Sequence, residues 1–114
     1  MNILTELNTL LNGIGIPVET GVFSGKAPDE YIVITPLADV FAVCADNLPQ
    51  IEVQEARLSL FSKSNYQKWK NKIVAVLLED DFTVTDRRYI GYDDGTAYYQ
   101  YVIDIQKPYE MEVD

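Results

Sequence analysis

A turn followed by strict alternation marks the last third of the sequence. Tyr92-Asp93-Asp94-Gly95 has the composition of a hairpin turn, whose Asp-Gly pair suits positive φ. From residue 97 to residue 106 the chain then alternates between two sets, and the more apolar set is Ala97, Tyr99, Tyr101, Ile103 and Ile105. Because successive side chains of a strand point to opposite faces, this pattern predicts a strand that ends at Pro108. Together with a predicted strand from Phe82 to Ile90, it forms an antiparallel hairpin.

Two segments have the spacing of amphipathic helices. The first, residues 3–11, places leucine and isoleucine on one stripe; Asn2 is its predicted cap, and Gly13 the left-handed residue that ends it. The second follows Ser64-Asn65-Tyr66-Gln67, which reads as a capping box with Ser64 as the N-cap. Acidic residues 79–81 are unfavourable at a helix C-terminus, so this helix should end by residue 79.

The segments between the helices favour strands. A short strand is possible over residues 18–22. Residues 31–35 are largely β-branched and apolar, which predicts a strand with both faces covered, and Pro36 should end it or lie at a sheet edge. Residues 40–43 continue a strand or form a hairpin arm, and Asp46-Asn47 with Pro49 predict a turn.

Residues 51–61 form a predicted strand whose apolar face changes. Ile51 and Val53 share one face, whereas Ala56, Leu58 and Leu60 share the other. A β-bulge near Gln54-Glu55 explains the change, and a strand that passes from one environment to another is the alternative.

These elements predict one α+β domain over residues 1–114, with two main helices packed on a mostly antiparallel, mixed sheet of four to five strands. We expect residues 108–114 to form a flexible acidic tail. No apolar run reaches membrane length and no signal peptide is evident, so synthesis in a reducing cytoplasm is expected.

The chain carries a formal net charge of -9, from 9 basic and 18 acidic residues. Phosphate binding requires Lys and Arg, so a nucleic-acid reader is disfavoured. Four lysines cluster between Lys63 and Lys72, but Trp69 among them falls on the apolar helix face. The simpler interpretation is a helix face whose lysines are exposed to solvent. The functional alternative is a basic face that contacts an acidic face of a neighbouring subunit.

Catalytic and metal-binding constellations are not evident. The sequence has no histidine and a single cysteine, Cys44, which excludes His-dependent triads and Cys-rich or His-ligated metal sites. The carboxylate clusters at 79–81 and 93–94 lack the ligand spacing of an EF-hand and are interpreted as a helix end and a turn. We therefore expect no enzyme activity, no cofactor and no bound metal.

Several segments resemble the tail-terminator, or tail-completion, proteins of long-tailed phages and prophages. They are Ala45-Asp46-Asn47 with the strand 51–60, then Phe61-Ser62-Lys63 running into the second helix, then Phe82-Thr83-Val84 and the Tyr92-Asp93-Asp94-Gly95-Thr96 turn with its tyrosine-rich strand. The order of elements matches over nearly the whole chain. The Asp94-Gly95-Thr96 turn departs from the Asp-Thr-Gly order expected in that family.

The resemblance implies a structural protein of the virion tail or neck, assembled in the host bacterial cytoplasm. It would form a ring, usually of six subunits, that caps the tail tube and joins it to the head–tail connector. DNA would pass through without specific binding. A head-completion or neck protein is the nearest alternative, and an acidic DNA-mimic inhibitor is an alternative from another class.

Within that framework, two sets of residues are candidates for function. The expected subunit or partner interface comprises Val40, Phe41, Val43, Lys68, Lys72, Tyr92 and Tyr98. Acids expected to line the lumen and repel DNA are Glu52, Glu55, Asp93 and Asp94.

Overall fold

The structure is a computed structural model that describes residues 2–20, 27–45 and 48–110, with side chains of residues 42–50 outside the description. In chain order its elements are α1 (Ile3–Asn12), β1 (Val18–Thr20), β2 (Glu30–Ala45), β3 (Leu48–Ser62), α2 (Tyr66–Glu79), β4 (Thr83–Asp93) and β5 (Tyr98–Glu110). The predicted order of helices and strands is therefore confirmed. Residues 46–47 of the predicted turn, and residues 21–22 of the possible first strand, lie outside the described residues. Pro49, which was assigned to the same turn, instead lies in β3 opposite Cys44.

The five described strands form one sheet in the order β1-β2-β3-β5-β4. The β1–β2 pair is parallel, and the other three pairs are antiparallel. This mixed, mostly antiparallel sheet with two helices confirms the predicted α+β fold.

The core lies between the helices and one face of the sheet. Helix α1 contributes Leu7 and Leu11, and α2 contributes Ile73 and Leu77, all fully buried. They join the alternate sheet residues Ile32, Ile34, Ala56, Leu58, Leu60, Tyr101, Ile103 and Ile105 in one cluster. We call the opposite side of the sheet, on which no described helix packs, the open face.

The prediction that both faces of residues 31–35 are covered is wrong. Ile32 and Ile34 are completely buried, whereas Tyr31 and Val33 are half-buried on the open face. Pro36 does not end β2: it pairs with Ala56 inside the strand, and the described part of β1 reaches only as far as Ile34.

Strand β3 contains no bulge near Gln54-Glu55, so that prediction is wrong. Its register with β5 is continuous from Ile51 to Ser62. The extra residue is Leu37 on the partner strand β2, opposite Ala56 and Glu55. The apolar pattern led to the wrong prediction because Gln54, a polar residue, belongs to the buried face.

Gln54 is buried because it completes the start of α1. Its Oε1 accepts the backbone N–H of Ile3 at 2.8 Å, one of the amides that a helix N-terminus leaves without a partner. Asn2 caps the same helix as predicted, since its side chain accepts the Thr5 N–H at 2.9 Å. The predicted left-handed conformation of Gly13 is wrong: its φ is -66°, and Gly15 has the positive φ of 85°.

The N-cap of α2 is Asn65, one residue later than predicted. The Asn65 side chain accepts the backbone N–H of Lys68 at 3.3 Å. Ser64 instead donates its hydroxyl to Glu30 Oε1 at 2.8 Å, which ties the start of the helix to β2. The helix ends at Glu79, as predicted.

The β4–β5 hairpin forms, but its turn differs from the prediction. Its positive φ of 66° falls on Ala97, not on the Asp-Gly pair, while the Asp93 carboxylate accepts the Gly95 N–H at 2.9 Å. Strand β5 also continues through Pro108 to Glu110, so the predicted end at Pro108 is wrong. Pro108 is accommodated opposite Val53, and residues 111–114 lie outside the described part of the chain.

Candidate interaction surfaces

Strands β2 and β3 extend beyond the helices as an arm, which we define as residues 37–45 and 48–53. Its described side chains include Leu37, Val40 and Phe41, which are 45%, 55% and 59% exposed. The predicted strand or hairpin at residues 40–43 is thus confirmed as part of β2. Of the predicted interface residues, Val40 and Phe41 lie on this arm, and the Val43 side chain falls outside the description.

An aromatic groove lies at the other end of the open face. It has a volume of about 500 Å³ and is lined chiefly by Tyr31, Phe61, Ile90, Tyr92 and Tyr98. The Tyr31 and Phe61 rings stack with centroids 4.8 Å apart, and Tyr98 meets Tyr31 edge-on at 5.5 Å. The walls are therefore built from rings that already hold one another in place.

Two of the groove residues were predicted as interface residues. Tyr92 is 48% exposed, but its ring lies 4.7 Å from the Tyr99 ring, on the face of the sheet that carries α2. Tyr98 is half-buried, and its hydroxyl donates to the Pro28 carbonyl at 2.5 Å. The Lys63 ammonium lies 4.9 Å from the centre of the Tyr98 ring, which places a cation at the rim of the groove.

The lysines of α2 are separate from both apolar surfaces. Lys68 and Lys72 are exposed, as predicted. The Lys72 ammonium lies 5.1 Å from the centre of the Trp69 ring, and Trp69 itself packs against the core. The tryptophan is thus partly a core residue, and a stacking role for it toward nucleic acid is disfavoured.

The predicted lumen acids do not form one patch. Glu52 and Glu55 lie on opposite faces of β3, because their positions differ by an odd number of residues. Asp93 pairs with Tyr98, while Glu52 pairs with Tyr109, eleven residues further along β5. At about 3.3 Å per residue, Glu52 and Asp93 are separated by about 35 Å along the strands.

A largely buried polar cluster joins the two helices to β5. Lys107 Nζ contacts Glu6 Oε2 at 2.5 Å, the Asp80 carbonyl at 2.6 Å and the Asp80 carboxylate at 3.6 Å. The Tyr109 hydroxyl donates to the other Glu6 oxygen at 2.8 Å. We call these four residues the Lys107 cluster.

The Lys107 cluster shifts the titration of its acids. Burial acts to raise the pKa of Glu6, but the hydrogen bonds donated by Lys107 and Tyr109, together with the positive charge of Lys107, outweigh it and lower the pKa. Hydrogen bonding to Glu6 raises the pKa of Asp80. Burial, reinforced by the bond to Glu6, raises the pKa of the Tyr109 phenol. This arrangement ties together the ends of three elements.

Sequence reasoning missed part of the groove and the whole Lys107 cluster. The signal for Tyr31 was present, because Tyr31 has the opposite parity to the buried Ile32 and Ile34. Ile90 carried no such signal, since a register shift between Tyr89 and Gly91 interrupts the alternation of β4. Contacts between Glu6 and Lys107 span 101 residues and leave no local pattern.

Among the described residues, no group of three or more His, Cys, Asp or Glu side chains is placed to hold a metal ion. Neither described helix is long and apolar enough to cross a membrane. No protein-family model matches the sequence, and a search of curated proteins finds no match.

Proposed function

We propose that this chain is a structural protein of phage tail assembly, which forms a ring that caps the tail tube and joins it to the head–tail connector. The observation that carries the proposal is the pair of exposed apolar surfaces, the arm and the aromatic groove, at opposite ends of one sheet. Surfaces of this kind mark sites of protein association. The resemblance described above supplies the identity of the assembly.

The shape of the chain supports a role in assembly. The described chain measures 54 × 26 × 23 Å, elongated for 114 residues, and its two longest strands, β2 and β3, have 16 and 15 residues. An exposed apolar arm is a liability for a monomer, since unpaired strand edges promote association. In a ring of subunits, the arm would be covered by a neighbour.

The charge of the chain supports passage of DNA without binding. A wall that carries net negative charge repels a polyanion. Because the four candidate acids are divided between two ends and two faces, only a subset would line one lumen in a ring. One subset contains Glu55, which lies on the open face. Another contains Asp93 and Asp94, which lie at the tip of the β4–β5 hairpin. Imaging of the ring at residue resolution identifies the subset, and a basic or neutral lumen would refute this part of the proposal.

The test is imaging of the purified protein by negative stain, alone and with tail tubes, together with light scattering. A closed ring has a fixed number of subunits and hence a fixed mass, which for six subunits is six times the chain mass of 12.9 kDa. The expected result is rings that bind one end of each tube and stop its growth. A protein that stays monomeric and binds no tube end would overturn the proposal.

The same measurements separate the alternatives. A head-completion or neck protein would bind connector complexes and leave free tube ends unchanged. A DNA-mimic inhibitor would be a monomer or small oligomer that competes with DNA for a basic protein. Such a mimic needs carboxylates spaced like phosphates along one face, and the positions of Glu52, Glu55, Asp93 and Asp94 do not provide this.

A further inference from the structure

We propose that the acidic arm of one copy of this chain contacts the outer side of α2, which carries lysines, in a second copy. The residues of α2 that form this side, which we call the α2 surface, are Lys68, Lys72, Ala75 and Leu78. The inference deepens the proposed function and rests on it in one respect only, namely that the subunits of a ring must contact one another.

Four described basic side chains form no ion pair with a described residue, although acids are in excess. The sequence contains 18 acidic and 9 basic residues. The described bases that do form ion pairs are Arg57, Lys63, Arg88 and Lys107. Those that do not are Lys68, Lys70, Lys72 and Arg87. All four lie on α2 or on β4, which contacts α2, so this region keeps an uncompensated positive charge.

The α2 surface combines this charge with an apolar side chain. Lys68, Lys72 and Ala75 are spaced at i, i+4 and i+7, which places them on one stripe of the helix. All three are exposed, and Leu78 beside them is 58% exposed. Residues 66–78 contain no aspartate or glutamate. A partner of this surface should therefore offer carboxylates together with an apolar group.

The arm offers both on one of its two faces. Phe41, which is 59% exposed, pairs with Glu52 across the ladder. Asp39 pairs with Gln54, whose side chain reaches α1, so these residues share the face that carries the helices. Among described residues, Asp39 has no ion pair, and Glu52 accepts a bond only from the neutral Gln54 amide. From residue 37 to residue 55 the sequence contains four carboxylates and no lysine or arginine.

The two surfaces cannot meet within one chain. Ile73 and Leu77 are the buried residues of α2 and point toward the sheet, so the α2 surface points away from it. The acids and Phe41 of the arm point out of the same side of the sheet. Two surfaces that point in the same direction do not face each other, and their contact requires a second molecule.

Charge and apolar content together select the arm as the occupant of the α2 surface. Contact between two arms, or between two α2 surfaces, would bring like charges together. Contact of an arm with an α2 surface places two carboxylates beside two lysines and allows Phe41 to pack on Leu78. A nucleic acid or another polyanion would neutralise the lysines but would give Leu78 no apolar partner.

A charge-swap experiment tests the contact. The arm variant is Asp39→Lys/Glu52→Lys, and the helix variant is Lys68→Glu/Lys72→Glu. Asp94→Lys is the matched control, because Asp94 is exposed at the hairpin tip and forms no ion pair with a described residue. Circular dichroism and thermal melting check each fold. Asp39→Lys alone replaces the arm variant if the half-buried position of Glu52 does not tolerate lysine.

Analytical ultracentrifugation of the wild type, of each variant and of their equimolar mixture gives the result. Either variant alone should lose self-association by about tenfold or more, because its arm and its α2 surface then carry the same charge. The mixture should recover self-association in complexes that contain both variants. There the reversed arm meets the reversed helix, and the unchanged arm meets the unchanged helix. Asp94→Lys should assemble like the wild type.

Three results would overturn the inference: unchanged self-association of either variant, a mixture that does not recover, and a wild type that is monomeric at its highest soluble concentration. A duplex oligonucleotide is the probe for the alternative occupant. If it binds a monomeric wild type and does not bind the helix variant, the lysines serve a polyanion and the inference is wrong.

Binding to tail tubes is scored separately from self-association. Recovery in the mixture, with no capping of tubes by the wild type, would support the contact and refute the proposed function. Capping by the wild type, with no recovery in the mixture, would do the reverse.

Discussion

Replacement of Lys107 by methionine should destabilise the fold through the Lys107 cluster. The change keeps most of the aliphatic stem and removes the ammonium that contacts Glu6 and Asp80. The side chains of Lys107 and Glu6 are 18% and 17% exposed, so water replaces the lost partner poorly. Glu6 retains the bond from Tyr109, but its negative charge is left without a cation.

The expected loss follows from this geometry. Removal of one partner of a buried ion pair costs about 3–5 kcal/mol. Because Glu6 keeps one hydrogen bond and some contact with solvent, we expect the lower end, about 3 kcal/mol. For a domain of this size, each 1 kcal/mol corresponds to about 4 °C in the midpoint of thermal unfolding. The variant should therefore melt about 12 °C below the wild type.

Urea unfolding followed by tryptophan fluorescence and circular dichroism measures the effect. Lys68→Met is the control, because Lys68 is exposed on α2, and its loss should change the free energy of unfolding by less than about 0.5 kcal/mol. Adding Glu6→Gln to Lys107→Met should recover part of the loss, since it removes the uncompensated charge. A loss below about 0.5 kcal/mol for Lys107→Met would refute the reasoning.

The deficit of Lys107→Met should also depend on pH. In the wild type the pKa of Glu6 lies below its ordinary value of 4.5, so its stabilising contribution is present above pH 4.5 and is lost as pH falls through the lowered pKa. In the variant, burial without a cation raises that pKa, and the carboxylate destabilises the fold at neutral pH. Protonation relieves this cost, so the deficit should be largest at pH 7 and shrink below pH 4.5. A deficit that is constant over this range would contradict the assignment to Glu6.

Three further substitutions test the local structure by denaturant unfolding. Gln54→Leu leaves the Ile3 N–H without its acceptor and should cost about 1–3 kcal/mol, with faster amide exchange at the start of α1; unchanged exchange would contradict the capping role. Asn65→Ala should cost about 1 kcal/mol and Ser64→Ala less than about 0.5 kcal/mol, and the reverse order would restore Ser64 as the cap. Ala97→Gly should stabilise the fold by about 0.5–1 kcal/mol, because glycine adopts the φ of 66° without strain, and a loss of stability would contradict the strained turn.

Local patterns in the sequence were sufficient for the type and order of the elements. The alternation from Tyr99 to Ile105 and the leucine stripe of residues 3–11 each reflect a face that must be buried, and burial acts on every second or every third to fourth residue. The Asn2 cap is equally local, because its acceptor and donor are three residues apart. For the same reason the end of α2 at Glu79 could be predicted.

Tertiary contacts determined the features for which the predictions from the sequence were wrong. Gln54 is buried because a helix begins 51 residues earlier in the chain, and no local pattern records that amide. Pro108 is tolerated within β5 because the pairing with β4 ends at Gln106, so Pro108 lies where only one described strand, β3, pairs with β5. The turn places its positive φ on Ala97 because four residues, not two, close the hairpin between Asp93 and Tyr98.

For the candidate surfaces too, the sequence predicted one part and the tertiary structure determined the rest. The sequence alone determined that Val40, Phe41, Tyr92 and Tyr98 are large apolar or aromatic residues outside the predicted helices, and it therefore marked them as candidates for contact. Only the tertiary structure decided that the first two lie on an arm and the last two in a groove about 25 Å away. The physical reason is strand register, which fixes which residues lie opposite each other across the sheet. Register can make residues neighbours that are distant in sequence, and it can separate residues of similar type.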